Sequence, residues 1–194
     1  MRFLTLTGFL TTFCLASCGN KDKTAEDAEP IFPVIPYIQS QVAHVDTSLY
    51  SIMELNYRDS VHTDTQYIRR EDFRKLAADF LELTDISGKK YRARYKEEKL
   101  FDETMNRVIL RYTPVDPVKE IIQKEEILIL PGPSRDKVTS IYIEQLINNR
   151  DSSMRKLLLW QVDKSFTVTT IIQKPGEAET TSMKKVSWNE ESEE

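Results

Sequence analysis

Only two histidines, His44 and His62, stand in the 194-residue chain, so a transition-metal site would have to be assembled from them and carboxylates. Asp59, Ser60, His62 and Asp64 bring the residue types of a nucleophile, a base and an orienting acid close together. Neighbours in sequence do not make a triad. The chemistry needs a base oriented by a third group and donors for an oxyanion, and no Gly-x-Ser-x-Gly elbow is present. A polar hairpin turn accounts for the same residues. Glu97, Glu98, Asp102 and Glu103 form a second acidic group, open to use as a glycosidase pair or around Ca²⁺, but the spacing and glycine of a Ca²⁺ loop are missing. A solvated turn between strands is the expectation there. The glycines, at 8, 19, 88, 132 and 176, are too dispersed to cradle a phosphate, which excludes a P-loop or dinucleotide fold. No catalytic, metal-binding or cofactor-binding residue is assigned, and no cofactor is expected.

The elements that would position these groups are readable from period. Ile31, Ile35, Ile38, Val42, Val45, Leu49 and Ile52 recur at spacings of four and three, one face of a helix that starts near Pro33, where a missing N–H costs nothing. A coiled coil has the same spacing, but so short a stripe without a charge pattern suits a helix packed on a sheet. Residues 51–58 and 62–68 read as a hairpin, and Phe73, Leu76, Ala77, Phe80 and Leu81 as a second helix near 70–83. His44 falls beside the first apolar stripe, as a partly exposed helix residue.

From Lys89 the period becomes two. Tyr91, Ala93 and Tyr95 alternate with Arg92, Arg94 and Lys96, and Val108, Leu110 and Tyr112 alternate with Arg107 and Arg111. Further strands are expected near 119–130, 137–147, 154–162, 165–173 and 179–188, with Pro175-Gly176 suiting a type II turn. Short connections imply antiparallel neighbours. The expected fold is α+β: two helices packed on one face of a curved antiparallel β-meander of about six or seven strands. Ile127–Leu130 and Leu157–Trp160 are apolar on both faces, so something must cover the second face or it must stay open. The sheet curling toward a barrel, or receiving a long loop, is one reading; an apolar groove for a lipid, an acyl chain or a partner protein is the other. Trp160 and Trp188 read as core and edge anchors, with sugar stacking as the alternative.

With 27 Lys and Arg against 31 Asp and Glu the net charge is −4, which lacks the basic surface that nucleic acid requires. A 40% hydrophobic content with five Gly and eight Pro is enough for one folded core and too regular for a disordered chain.

The N-terminus carries the strongest signal. Met1-Arg2, the apolar run Phe3–Leu15 and the small pair Ala16-Ser17 have the three-part layout of a signal peptide, and the run is shorter than the ~18 residues of a membrane-spanning helix. Leu15-Ala16-Ser17-Cys18 resembles the lipobox of bacterial lipoproteins, and the whole chain resembles a Bacteroidota-type lipoprotein with no functional family matched. The resemblance implies cleavage before Cys18 and lipidation of Cys18. Two acyl chains anchor stably where one binds marginally. The implied organisation is a lipoprotein signal peptide over 1–17, a lipidated Cys and flexible tether over 18–30, a single α+β domain over 31–188 and an acidic tail over 189–194. Cys14 leaves with the signal peptide and Cys18 takes the lipid, so no thiol is left for a disulfide, a metal site or a nucleophile. Gly19 stands where Asp often retains lipoproteins in the inner membrane of enteric bacteria, which implies the outer membrane. The charged stretch over Lys21–Asp27 is similar to some surface-export signals. NTF2-like cones and the half-barrels of periplasmic lipoprotein carriers are fold-level analogies without a matched motif.

The functional expectation is a non-catalytic lipoprotein of the cell envelope, held to the outer membrane by its lipid, periplasmic or surface-exposed, and binding a partner protein or apolar ligand with its sheet. The alternative is a hydrolase of envelope or glycan substrates that uses Glu97, Glu98, Asp102 or the His62 region.

Overall fold

The apolar stripe begins as predicted. Helix α1 (Val34–Thr47) follows Pro33 directly and buries Val34, Ile35, Ile38, Val42 and Val45. It stops short of the last two stripe positions. Ser48 turns extended, its Oγ–H donating to the Val45 carbonyl at 2.9 Å, and Leu49 beyond it is 95% exposed. Ile52 then opens strand β1 (Ile52–Tyr57), which pairs with β2 (Thr63–Ile68) as the predicted hairpin. The structure, a computed structural model, describes residues 30–57 and 63–189.

The second helix is broken. α2 (Arg70–Leu76) and the one-turn α3 (Ala78–Leu81) meet at Ala77, whose ψ of 3° interrupts the α-helical path while Phe73 and Phe80 still bury on the same side. Seven strands follow: β3 (Tyr95–Asp102), β4 (Arg107–Pro114), β5 (Ile122–Leu130), β6 (Lys137–Asn148), β7 (Ser153–Gln161), β8 (Ser165–Gln173) and β9 (Thr180–Ser187). The alternating stretch Tyr91–Arg94 is not the start of a strand. It forms a turn and a short 3₁₀ segment (Arg92–Arg94), and the extended run begins at Tyr95.

One sheet holds all nine strands in the order β2-β1-β9-β8-β7-β6-β5-β4-β3, every pair antiparallel. The expectation of six or seven strands is therefore too low. The extra strands are the early hairpin, which joins the meander because β1 pairs with β9 at the far end of the described chain. The sheet does not close, since β2 and β3 are its two outer strands.

The helices cover one face. Phe73 and Phe80 meet Phe166 at 6.1 and 5.3 Å between ring centroids, and Trp160 and Trp188 complete the aromatic cluster. Both Trp side chains are core residues, at 0% and 4% exposure, so neither indole is a surface platform for sugars. Asp79 of α3 reaches two strands of the same face, pairing with Lys156 at 2.6 Å and Lys184 at 3.6 Å.

The tight turns follow their residue types. Glu177 N–H donates to the Lys174 carbonyl at 3.2 Å around Pro175-Gly176, and Gly176 sits at φ 76° as the predicted type II turn requires. A Cβ there would meet nothing within 4 Å, so Gly176→Ala should cost about 1 kcal/mol from backbone strain alone, read from urea unfolding midpoints.

Candidate functional site: the open face of the sheet

Alternation divides the two apolar runs between the faces. Ile127, Leu158 and Trp160 are fully buried under the helices, whereas Leu128, Leu130, Leu157 and Leu159 point the other way and stay partly exposed. The contacts of α2 and α3 run to the first face, while on the second Ser165 and Ser187, in register with Leu128, are buried near the ends of β8 and β9. The sheet does not close into a barrel, because its outer strands β2 and β3 do not pair with each other.

Strand register places the side chains of this face in rows. One row sets Leu100, Ile109 and Leu128 side by side across β3, β4 and β5. The next runs Glu98, Arg111, Glu126, Tyr142, Leu159 from β3 to β7. Its charged part is a ladder: Arg111 donates through Nε to Glu126 at 2.6 Å and through a terminal nitrogen to Glu98 at 3.3 Å. Lys124 lies 4.8 Å from the Tyr142 ring centre. Apolar side chains flanked by a fixed ladder of paired charges, with Lys124 3.9 Å from Glu126 balancing the second carboxylate, give a surface that can exclude water locally and still orient what lands on it. Among the described residues, the charged part of this row is a Glu–Arg–Glu ladder without a nucleophile beside a base.

The acidic group expected as a turn is split. Glu97 and Glu98 belong to β3, and the turn itself lies over 103–106. As strand neighbours the two glutamates face opposite sides of the sheet. Glu98 and Asp102 share a face but stand four strand residues apart, about 13 Å along the strand, beyond the ~6.5–9.5 Å of an inverting glycosidase pair. Asp102 is occupied as a turn cap, accepting the Met105 N–H at 3.0 Å, and Glu103 is exposed in that turn.

His44 is exposed on α1, its ring edge-on to Tyr50 at 6.2 Å. It lines a cleft of about 670 Å³ together with Gln41, Lys137, Asp163 and Lys164. An adjoining cleft of about 590 Å³ extends this groove to Tyr37 and the 134–136 loop. Burial, and then the charge of Asp163, push the Tyr37 hydroxyl above its ordinary pKa, so it remains a donor. Asp64 lies exposed on β2 opposite Asn56. Asp59, Ser60, His62 and Cys18 lie outside the described residues. Among the described residues no three His, Cys, Asp or Glu side chains gather as a metal site would need.

One group escaped the sequence reading. Glu125 on β5 is only 3% exposed, facing the helix side between Tyr112 of β4 and Ile143 of β6. Burial, with a smaller push from Asp85, raises its pKa to about 8, so the carboxyl is mostly protonated at neutral pH. The signal was present, since alternation from Ile127 puts Glu125 in phase with the buried side of β5. Comparison with protein-family models, with curated proteins and with solved structures finds no match for this chain.

Proposed function

We propose that this chain is a lipid-anchored, non-catalytic protein of the cell envelope that binds a partner protein with the open face of its sheet. The observation that carries the reading is the set of partly exposed Leu, Ile and Tyr side chains that two neighbouring rows place from β3 to β7, on a face where a sealed core would have buried them fully. A broad face crossed by the Glu98–Arg111–Glu126 ladder suits a protein surface better than an acyl chain, which needs enclosure on most sides. The anchor rests on the lipobox and Cys18, and the polar tether over 18–30 would hold the domain off the membrane.

Two experiments test this. Cys18→Ala in the full-length chain should abolish acyl labelling and release the protein from membranes, and retained labelling would sink the anchor. Native mass spectrometry of residues 19–194, which contain the whole buried core from Ile31 to Trp188, should give an unliganded mass. A stoichiometric lipid or acyl adduct would instead replace the partner-binding reading with that of an apolar-ligand carrier.

A further inference from the structure

The sheet has two free edges, and they differ in how they are defended. The exposed run of β3 carries Lys96, Glu97, Glu98 and Lys99. If two copies of β3 paired antiparallel, a twofold axis at any of these four residues would set its charge against its own copy, and an axis at Leu100 would set Glu98 against Asp102. Charges of this kind are the ordinary protection of an edge strand. In β2 that protection is reduced to a single charge, Asp64. The strand reads Thr63-Asp64-Thr65-Gln66-Tyr67-Ile68, without Lys, Arg or Pro, and its register with β1 runs unbroken by a bulge. Thr63 to Tyr67 are all exposed, Tyr67 at 79%.

We propose that the outer edge of β2 pairs antiparallel with the same edge of a second copy of this chain, about a twofold axis through Thr65. Directly opposed residues on neighbouring strands share a face, so the axis must pass through a residue. At Asp64 it would oppose two carboxylates, and at Gln66 it would set Asp64 against Ile68. At Thr65 it places Gln66 opposite Asp64, twice, and Thr63 opposite Tyr67, twice, with no like charges facing. Threonine against an aromatic is a favourable cross-strand pair. The interface is isologous and therefore closes as a dimer rather than a fibre. Because the axis is perpendicular to the sheet, the helices of both copies stay on one side. The two open faces become one surface on the other, with Tyr67 continuing the row of Met53. The proposal does not depend on what the open face binds.

The test is disulfide trapping in the full-length chain at its membrane. Thr65→Cys should give a dimer band on a non-reducing gel after mild oxidation. Tyr67→Cys, whose opposite residue is Thr63, should give little, and the chain with only Cys14 and Cys18 none. Adding Thr63→Lys and Tyr67→Lys to Thr65→Cys opposes lysines twice and should abolish the band. Both positions are exposed, so the circular dichroism spectrum and melting temperature should not move. A monomer with Thr65→Cys, equal trapping at 65 and 67, a band that survives the two lysines, or a ladder of higher oligomers would each overturn the twofold pairing.

Discussion

Trp160→Ala is expected to destabilise the protein by about 3–5 kcal/mol, the largest effect of any single side chain in the fold. Trp160 is fully buried at the point where both layers meet. Its ring stacks on Phe166 at 5.3 Å, takes Phe80 edge-on at 5.1 Å and touches Trp188 at 5.4 Å. Truncation leaves a cavity among three rings that cannot collapse, because Phe166 is held by paired β8, Phe80 by α3, and Trp188, just past β9, by its N–H donating to the Lys164 carbonyl at 2.9 Å. The indole N–H has no hydrogen-bond partner, so the loss is one of packing alone. Trp160→Phe removes that unsatisfied donor together with some ring area and should cost much less, about 1–2 kcal/mol. Leu159→Ala, one residue away on the open face, should cost less still, about 1 kcal/mol, because its side chain is already partly in water. Urea unfolding of the three variants measures the contrast. Equal losses at Trp160 and Leu159 would mean that both faces of the sheet are sealed.

The second large effect is a pH dependence set by Glu125. Its folded pKa of about 8 lies above the ordinary value of 4.5, so the folded state holds its proton more tightly than the unfolded state. Below pH 4.5 both states are protonated and the group contributes nothing to the difference. Between 4.5 and about 8 the unfolded chain loses the proton first, and stability falls by about 1.4 kcal/mol per pH unit. Above 8 the loss is complete. Glu125→Gln keeps the shape and removes the proton. The variant should match the native chain near pH 4.5 and exceed its stability by on the order of 4 kcal/mol at pH 8. Urea midpoints for both proteins across that range check it, and a gap that does not widen with pH would contradict the burial account.

The later strands were legible because local chemistry and alternation agree there. Val168 and Phe166 alternate with Thr167 and Thr169, Leu158 and Trp160 share a phase, and Pro175-Gly176 specifies its own turn. Tyr91–Arg94 misled because four residues of alternating character cannot separate a strand from a 3₁₀ turn with exposed arginines. The strand count fell short for a different reason. No local pattern in Met53–Tyr57 encodes its pairing with Met183–Ser187, a contact between opposite ends of the fold. The open face was half legible: alternation shows that Leu128 and Leu159 point away from Ile127 and Trp160, but not whether anything covers them. Glu125 was legible by phase and hidden by expectation, since Glu-Glu pairs read as surface until a neighbouring helix or loop buries one of them.

Introducing charge on the open face is the most direct test of whether that face binds a protein. Leu128→Glu with Leu159→Glu places two carboxylates at positions whose side chains are already partly in water, so the melting temperature should fall by no more than several degrees. Full-length native and double-variant chains would be crosslinked at the membrane, purified side by side and compared by quantitative mass spectrometry. The account predicts a protein captured by the native chain, crosslinked to residues of β4–β7 on the open face, and depleted at least tenfold with the variant. Equal recovery from both chains, or crosslinks confined to the helix side, would contradict it.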